Sequence, residues 1–445
     1  MTIVSDSPVH SSSSDDFASF LDAELATSTS DSSADEEGDE EENLESKRVK
    51  RRKVEVLEIL EDVQDSTARV ETSKEEAICA HPGSFGGMCI ICGQRVAEEA
   101  GVAIAYIHKG LRLDSPELVR LRNADMKNKL NQKKLHLILD LDHTLLNSTM
   151  LFHMTSEEDY LKSNADSLQD IQNGSLFMLE HMRMMTKLRP YVRQFLKEAN
   201  EMFEMHIYTM GDKPYAREMA KLLDPGDQYF NDRIISRDDG TQKHQKGLDV
   251  VLAEESAVLI LDDTENAWTK HRENLILMER YHFFASSCQQ FGFRCKSLSL
   301  LKSDESDTDG ALASVLRVLK RVHSMYFDED PRDAPSNRDV REFLKSVRKE
   351  ILQGCRIVFS RVFPTSFPPE SHQLWKMAEQ LGATCLVEVD SSVTHVVAND
   401  PNTEKSKWAT NETKYLVHPQ WIEATYYLWQ RQVEDKYPVN QSKSQ

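Results

Sequence analysis

No run of eighteen apolar residues occurs anywhere in this 445-residue chain, which excludes an ordinary membrane-spanning helix. Its start also lacks the charged-then-apolar pattern of a secretory leader. A soluble, intracellular protein with no membrane partner is therefore expected. Cysteine is scarce and odd in number, seven in all, which argues against a disulfide framework and for thiols or metal ligands. Positive charge is missing from the first 46 residues, where fourteen Asp or Glu stand against no Lys or Arg. A Ser-rich acidic segment of this kind cannot bury enough apolar surface to order itself. Residues 1–76 are thus expected to be a disordered acidic tail.

The sign of the charge reverses abruptly within that tail. SKRVKRRK at 46–53 places six basic residues among the seven from Lys47 to Lys53. In an accessible setting this reads as a nuclear import signal. With a net charge of −20 over the whole chain, no direct nucleic-acid binding is expected. Next, AICAHPGSFGGMCIICG carries Cys79, His81, Cys89 and Cys92 as CxH followed by CxxC. Three thiolates with an imidazole suit a tetrahedral Zn²⁺, here in a small loop. Residues 77–130 are read as this loop followed by a docking segment, AYIHKGLRLD, that packs on the next domain.

The chemistry concentrates in LHLILDLDHTLLNS at 135–148. Leu135 to Leu139 have the length and character of one strand buried on both faces. It ends on two carboxylates, Asp140 and Asp142, which would be costly there without a cation or donors to offset their desolvation. The pattern DxDxT suggests an aspartate nucleophile with an aspartate acid/base two residues on. Over 131–300 strand and helix patterns alternate: Tyr191 to Met202 is amphipathic, FEMHIY is strand-like, Lys213 to Leu223 is helical and AVLIL is a buried strand. Such alternation predicts a parallel α/β sheet with right-handed crossovers, whose active site lies beyond the carboxyl ends of the strands. Polar motifs follow three of the strands: DLDHT, Thr209 in IYTMG, and Asp262 with Asp263 in LILDDTE.

Brought together, these residues make a phosphoryl-transfer site. An ionised aspartate attacks phosphorus only when the phosphate charge is neutralised, which calls for a hard cation with oxygen ligands. Asp140, the main-chain carbonyl of Asp142, and Asp263 or Asp262 would hold Mg²⁺, with Mn²⁺ or Co²⁺ as substitutes. Thr209 and a lysine would bind the remaining phosphate oxygens. Lys243 and Lys246 are both available, and Lys246 is favoured because KGLDVVL reads as a helix starting at the site. Arg189 in KLRPY would add positive charge. Residues 149–186 are too long for a simple connection and would wall a substrate groove. A second wall is expected from Trp268 to Phe284, with Arg272 and Arg280.

Residues 301–347 read as a linker containing one amphipathic helix, ALASVLRVLKRVHSMYF. The catalytic chemistry is not expected to depend on residues beyond about 300. At 348–440 the pattern restarts as a compact α/β module: CRIVFS, HQLWKMAEQLG, ATCLVEV, THVVA and KYLVHPQWIEATYYLWQ.

DLDHTLLNS, KLRPY, HIYTMG, SRDD and ILDDTENAW, in this order, closely resemble the aspartate-based phosphatases acting on the C-terminal domain of RNA polymerase II. The resemblance runs from about Cys79 to the end and is nearest the compact plant C-terminal-domain phosphatase-like proteins. It implies a haloacid-dehalogenase-like parallel sheet domain with an insertion. Gly354, Leu381-Gly382, VTHVVA and Trp421 resemble a BRCT domain, giving an α/β chain of two folded modules behind a disordered acidic N-terminus. The family implies Asp140 as nucleophile, Asp142 as acid/base, Thr144, Arg189, Thr209 and Lys246 as phosphate ligands, and Asp140, Asp142, Asp262 and Asp263 at the metal. Phe203 departs from family members that carry a tyrosine before IYT. Some BRCT domains take a phosphate through a Ser or Thr after the first strand and a later Lys, here Ser360 and Lys407. The expected function is a nuclear, Mg²⁺-dependent protein-serine/threonine phosphatase working through an aspartyl-phosphate on the heptad repeats of the polymerase tail, with general transcription factors as further partners. The competing expectation is a non-catalytic phosphopeptide-binding nuclear scaffold.

Overall fold

The computed structural model describes residues 82–96, 101–242, 244–292, 296–328, 338–364 and 367–439. The acidic tail, the basic run, Cys79, His81 and Lys243 lie outside them. The described chain opens with four short antiparallel strands, β1 (Gly83–Phe85), β2 (Met88–Cys89), β3 (Val102–Ala103) and β4 (Leu111–Leu113), in the order β2-β1-β4-β3. Helix α1 (Ser115–Asn131) follows. Its start is written in the sequence, since the Asp114 carboxylate accepts the Glu117 N–H at 2.8 Å and Pro116 sits in the first turn. Ile104, Tyr106, Leu111 and Leu113 share one buried apolar cluster with Leu118, Ile138 and Tyr208, so the docking segment is part of the phosphatase core.

The central domain starts with β5 (Leu135–Leu139) and continues through β6 (Leu146–Met150), the single turn α2 (Tyr160–Ser163), β7 (Leu176–Leu179) and β8 (Met184–Leu188). Then come α3 (Val192–Met202), β9 (Phe203–Tyr208), α4 (Lys213–Leu223), β10 (Ile234–Ile235), β11 (Val258–Asp262) and β12 (Leu275–Leu277). Five strands form a parallel sheet in the order β10-β9-β5-β11-β12. Every residue of β5 is buried, as its position at the centre demands. Leu135, Leu137 and Leu139 enter one core cluster and Ile138 the other, the period-2 alternation of a strand covered on both faces. The excursion at 149–186 is a three-stranded antiparallel sheet, β6-β8-β7, anchored directly behind DxDxT.

Beyond β12 lie α5 (Ala285–Gln290), α6 (Leu298–Leu301), α7 (Ala311–Asp328) and α8 (Val340–Glu350). Helix α7 is the expected amphipathic helix; α8 was not expected as a helix. Its stripe of Val340, Phe343, Leu344 and Val347 is buried and has helical spacing. The C-terminal module consists of β13 (Arg356–Ser360), α9 (Gln373–Gln380), β14 (Thr384–Leu386), β15 (His395–Ala398), α10 (Glu404–Asn411), β16 (Tyr415–Val417) and α11 (Gln420–Leu428). Its parallel sheet runs β14-β13-β15-β16, and Trp421 is fully buried in it. Gly382 has φ +92°, and a Cβ there would lie 1.8 Å from the Lys349 carbonyl oxygen, so only glycine lets this turn meet the end of α8. The module does not hang free. Leu428 and Trp429 belong to the same buried cluster as Leu196, Leu316 and Leu344, and the Arg348 guanidinium lies 4.4 Å from the Trp429 ring.

Candidate active site

Asp140 follows β5, and its N–H donates to the Leu261 carbonyl at 3.0 Å, which ties the site to β11. The chain then turns through His143 at φ +62°, a conformation unfavourable for a side chain and typical of sites whose surroundings over-determine the backbone. This turn brings Asp142 and Thr144 back over the carboxyl edge of the sheet. Thr209 stands at the end of β9, and Asp262 with Asp263 at the end of β11. The convergence expected from strand-end motifs is therefore physical contact.

Lys246 is the centre of the arrangement. Its Nζ donates to Asp140 Oδ1 at 2.6 Å and to Asp262 Oδ2 at 2.7 Å, and it lies 5.8 Å from the ring centres of both Tyr208 and Trp268. The charge and hydrogen bonds of the two carboxylates outweigh the opposing effect of burial and raise the Lys246 pKa, keeping the ammonium charged. Only a 3₁₀ turn, Leu248–Val250, follows it. The helix expected from KGLDVVL does not form, so Lys246 acts by its own charge and not through a helix dipole. Asp262 takes three donors: besides Lys246, it accepts from Trp268 Nε1 at 2.8 Å through the same oxygen and from the Thr264 N–H at 2.8 Å through the other. Trp268 is fully buried. It supports Asp262 from below and does not line a groove, contrary to expectation.

Asp142 stays partly exposed at the mouth of the site. Tyr215 OH donates to its Oδ1 at 2.5 Å and Thr209 Oγ1 to its Oδ2 at 3.5 Å. Burial raises the Asp142 pKa to about 6, with the Tyr215 hydrogen bond opposing the shift and Asp263 reinforcing it. A carboxyl poised there can give a proton in one step and take one in the next. Tyr215 itself hydrogen-bonds Ser148 Oγ at 3.2 Å, which is 2.9 Å from Thr186 Oγ1. Sequence reasoning passed over Tyr215; a phenol on the buried stripe of α4, six residues after Thr209, was the available signal. Because its hydrogen bond favours the ionised carboxylate, Tyr215→Phe should raise the Asp142 pKa. The alkaline limb of the pH–rate profile should move upward by about half to one pH unit, measured as kcat/KM from pH 5 to 8. An unmoved limb would detach Tyr215 from the acid/base step.

Asp263 accepts from Arg280 Nε at 2.6 Å, with Thr144 Oγ1 at 3.5 Å. Arg280 was expected in a groove wall and instead reaches the acidic cluster. Arg189 does the reverse. It is 1% exposed, pairs with Glu305 through Nε at 2.9 Å and Nη2 at 2.7 Å, and donates to the carbonyls of Thr144 at 3.0 Å and Glu279 at 3.0 Å. With its donors spent on a carboxylate and on the backbone of the DxDxT turn, it buttresses the site from behind. This corrects its reading as a phosphate ligand.

The acidic residues at this edge exceed the cations. Asp140, Asp142, Asp262 and Asp263 face Lys246 and Arg280, a balance of −2 when all are ionised. Burial together with the neighbouring Asp262, Asp263 and Asp142 pushes the Asp140 carboxyl well above its usual range, against the pull of Lys246. Ligand atoms of Asp140, Asp262 and Asp263 lie within 4.8 Å of one another. An all-oxygen, under-compensated cluster of this kind fits a hard divalent cation.

The remaining candidates are elsewhere. Cys89 Sγ accepts the N–H of Ile91 at 3.4 Å and of Cys92 at 3.5 Å, and Gly93 follows at φ +71°. Amides folded around a sulfur in this way prepare it to carry charge. Cys79 and His81 are outside the described residues. Ser360 is buried, with Oγ 2.6 Å from Thr403 Oγ1, which in turn lies 2.6 Å from Ser406 Oγ. This hydroxyl chain closes on the start of α10, while Lys407 is exposed on that helix. Ser360 thus has a structural job and offers no open hydroxyl to a phosphate, in contrast to expectation.

Comparison with known proteins agrees with this geometry. Residues 135–290 match the NLI interacting factor-like phosphatase family, and residues 347–426 match the BRCA1 C-terminal (BRCT) domain. Over 449 aligned residues the chain is 60% identical to RNA polymerase II C-terminal domain phosphatase-like 4 of Arabidopsis thaliana, covering 100% of this chain and 99% of that protein. It is 43% identical to the phosphatase-like 3 protein of the same plant, over 72% of this chain and 26% of that longer protein. Among solved structures, Fcp1, described as an essential RNA polymerase II CTD phosphatase, aligns with 72% of this chain and all of its own at TM-score 0.56 and 26% identity. The fold is accordingly haloacid-dehalogenase-like with a BRCT domain.

Proposed function

Because the chain belongs to the family of RNA polymerase II C-terminal domain phosphatases, we propose that it is a divalent-cation-dependent protein-serine/threonine phosphatase acting on the phosphorylated heptad repeats of that domain. The observation that carries this reading is Asp140 held by Lys246 beside Asp142 held by Tyr215 and Thr209. Lys246 occupies Asp140 Oδ1, which leaves Oδ2 to attack phosphorus. The bond from phosphorus to the serine oxygen breaks as Asp142 passes its proton to that oxygen. Asp142, now ionised, takes a proton from water, whose oxygen attacks the aspartyl-phosphate and releases inorganic phosphate and Asp140. Lys246 and the Thr144 and Thr209 hydroxyls stabilise the charge on the transferring group. Mg²⁺ held by Asp140, the Asp142 carbonyl, Asp262 and Asp263 would supply Lewis-acid neutralisation of the phosphate.

The acidic cluster supports a hard cation at that site, and the Cys89 loop supports a structural Zn²⁺ with Cys79, His81 and Cys92. A nuclear site of action follows from the substrate, with Lys47 to Lys53 as the import signal. The test is phosphate release from doubly phosphorylated heptad peptides. Release should require Mg²⁺, stop on exhaustive chelation and return when Mg²⁺ is restored. Binding of these peptides without any release would overturn the enzyme and favour a scaffold.

A further inference from the structure

A second cluster of ligating side chains lies at the far end of the strands that carry the active site. His136 on β5 and Glu204 on β9 are register partners, and His206 follows two residues after Glu204. Strand alternation therefore sends all three to one face. His136 Nδ1 is 3.3 Å from His206 Nε2, and Glu204 Oε1 is 3.9 Å from each of these nitrogens. The two imidazoles are only 1% and 2% exposed. Polar rings inside a parallel sheet are costly unless each nitrogen is used, yet His206 Nδ1 has no hydrogen-bond partner.

From these contacts we propose a binding site for a zinc-class divalent cation formed by His136 Nδ1, His206 Nε2 and Glu204 Oε1. At metal–nitrogen distances of about 2.0–2.1 Å, two imidazole ligands of a tetrahedral ion sit about 3.3 Å apart, the separation found here. One tautomer of His136 is suited to ligation. Its Nε2 lies 2.7 Å from Asp125 Oδ2 on α1, and a proton shared there leaves the Nδ1 lone pair facing the site. A carboxylate behind a ligating histidine is the recurrent outer-shell arrangement of metal centres. Lys129 Nζ binds the other Glu204 oxygen, Oε2, at 2.5 Å, which leaves Oε1 to the ion. Arg233 also lies near Oε2, at 3.9 Å. Asp125 and Glu204 offset Lys129 and Arg233, with Lys134 a third cation within electrostatic reach of Glu204. On binding, the His206 proton leaves Nε2, and Nδ1 is the nitrogen that can carry it.

The donor set separates this site from the catalytic one. Two nitrogens and one oxygen suit Zn²⁺ or Co²⁺, whereas the four aspartates suit Mg²⁺. The ion would clamp β5 to β9 about 13 Å before Asp140, four residues along the strand. The two strands that present Asp140 and Thr209 would then be held in register from below.

The test uses the full chain carrying Cys89→Ser and Cys92→Ser, stripped of metal, equilibrated with Mg²⁺ and titrated with Co²⁺. One equivalent should bind with the visible d–d absorption of nitrogen and oxygen ligation and without a thiolate charge-transfer band. Asp125→Asn should weaken that equivalent roughly 10–100-fold, and His206→Gln should abolish it. Glu204 reaches the surface, so Glu204→Gln should fold whatever becomes of His206→Gln, and it should lose the same equivalent. The melting temperature of the parent should rise with Zn²⁺, and that of Glu204→Gln should not. Co²⁺ uptake and spectra unchanged in Glu204→Gln, or the absence of this equivalent from the parent, would overturn the site and leave the two histidines as a buried hydrogen-bonded pair.

Discussion

Asp140→Asn should lower phosphate release by about a hundredfold or more while leaving the protein folded. Asparagine preserves the volume and still offers Lys246 an oxygen, but a neutral amide cannot attack phosphorus. Folding should survive for an electrostatic reason. Burial and three neighbouring aspartates already raise the Asp140 carboxyl well above its usual range, so removing that charge relieves repulsion as much as it weakens the contact to Lys246. Asp142→Asn should fail by a similar factor for a different reason, because general acid–base transfer typically contributes about 10²–10⁴-fold. The discriminating measurement is kcat on para-nitrophenyl phosphate and on heptad phosphopeptides, paired with melting curves. Activity of either variant within about threefold of wild type would refute its assigned role, since side-chain acid–base and nucleophilic steps are worth far more than that.

Removal of residues 350–445 should impair both substrates and lower the melting temperature by about 10 °C or more. From sequence the catalytic chemistry is not expected to depend on residues beyond about 300. The packing argues otherwise. Leu428 and Trp429 are buried with α7 and α8 in the cluster that also contains Leu137 and Leu139 of the central strand. Losing a buried Trp alone costs about 3–5 kcal/mol. Arg348, left on the stump, would lose the Trp429 ring. Comparison of kcat/KM for para-nitrophenyl phosphate and for long phosphorylated tails, before and after truncation, reads the outcome. A loss confined to the long substrate with unchanged melting would instead make the module a tether for that substrate.

Dependence of catalysis on distant chain is visible again at Glu305. It lies beyond the expected end of the catalytic domain, yet it holds Arg189, whose other donors fix the Thr144 and Glu279 carbonyls. The catalytic turn is thus braced from the linker. Nothing in KLRPY could reveal this, because an arginine in a motif announces a need for an anion and does not say which one. Its partner is 116 residues away, and only the fold brings them together.

Strand-end carboxylates and the threonine after FEMHIY were legible by themselves, whereas Lys246 was favoured over Lys243 on account of a helix that does not form. Buried charge after an apolar run is costly, and in a parallel sheet the ends of such runs meet at one edge. That rule sufficed to place Asp140, Asp142, Thr209, Asp262 and Asp263 in one site before any contact was known. The amphipathic periods of Val192–Met202, Lys213–Leu223 and Ala311–Asp328 likewise reported which stripe would be buried. Tertiary structure decided the pairings. It set Tyr215 on Asp142, Trp268 on Asp262, Arg280 on Asp263 and Arg189 on Glu305, closed Ser360 into a hydroxyl chain, and brought His136 to His206 across two neighbouring strands. Periodicity along a chain records whether a side chain leaves water, because that depends on its own element. Which group then satisfies it depends on surfaces that meet only when the elements pack.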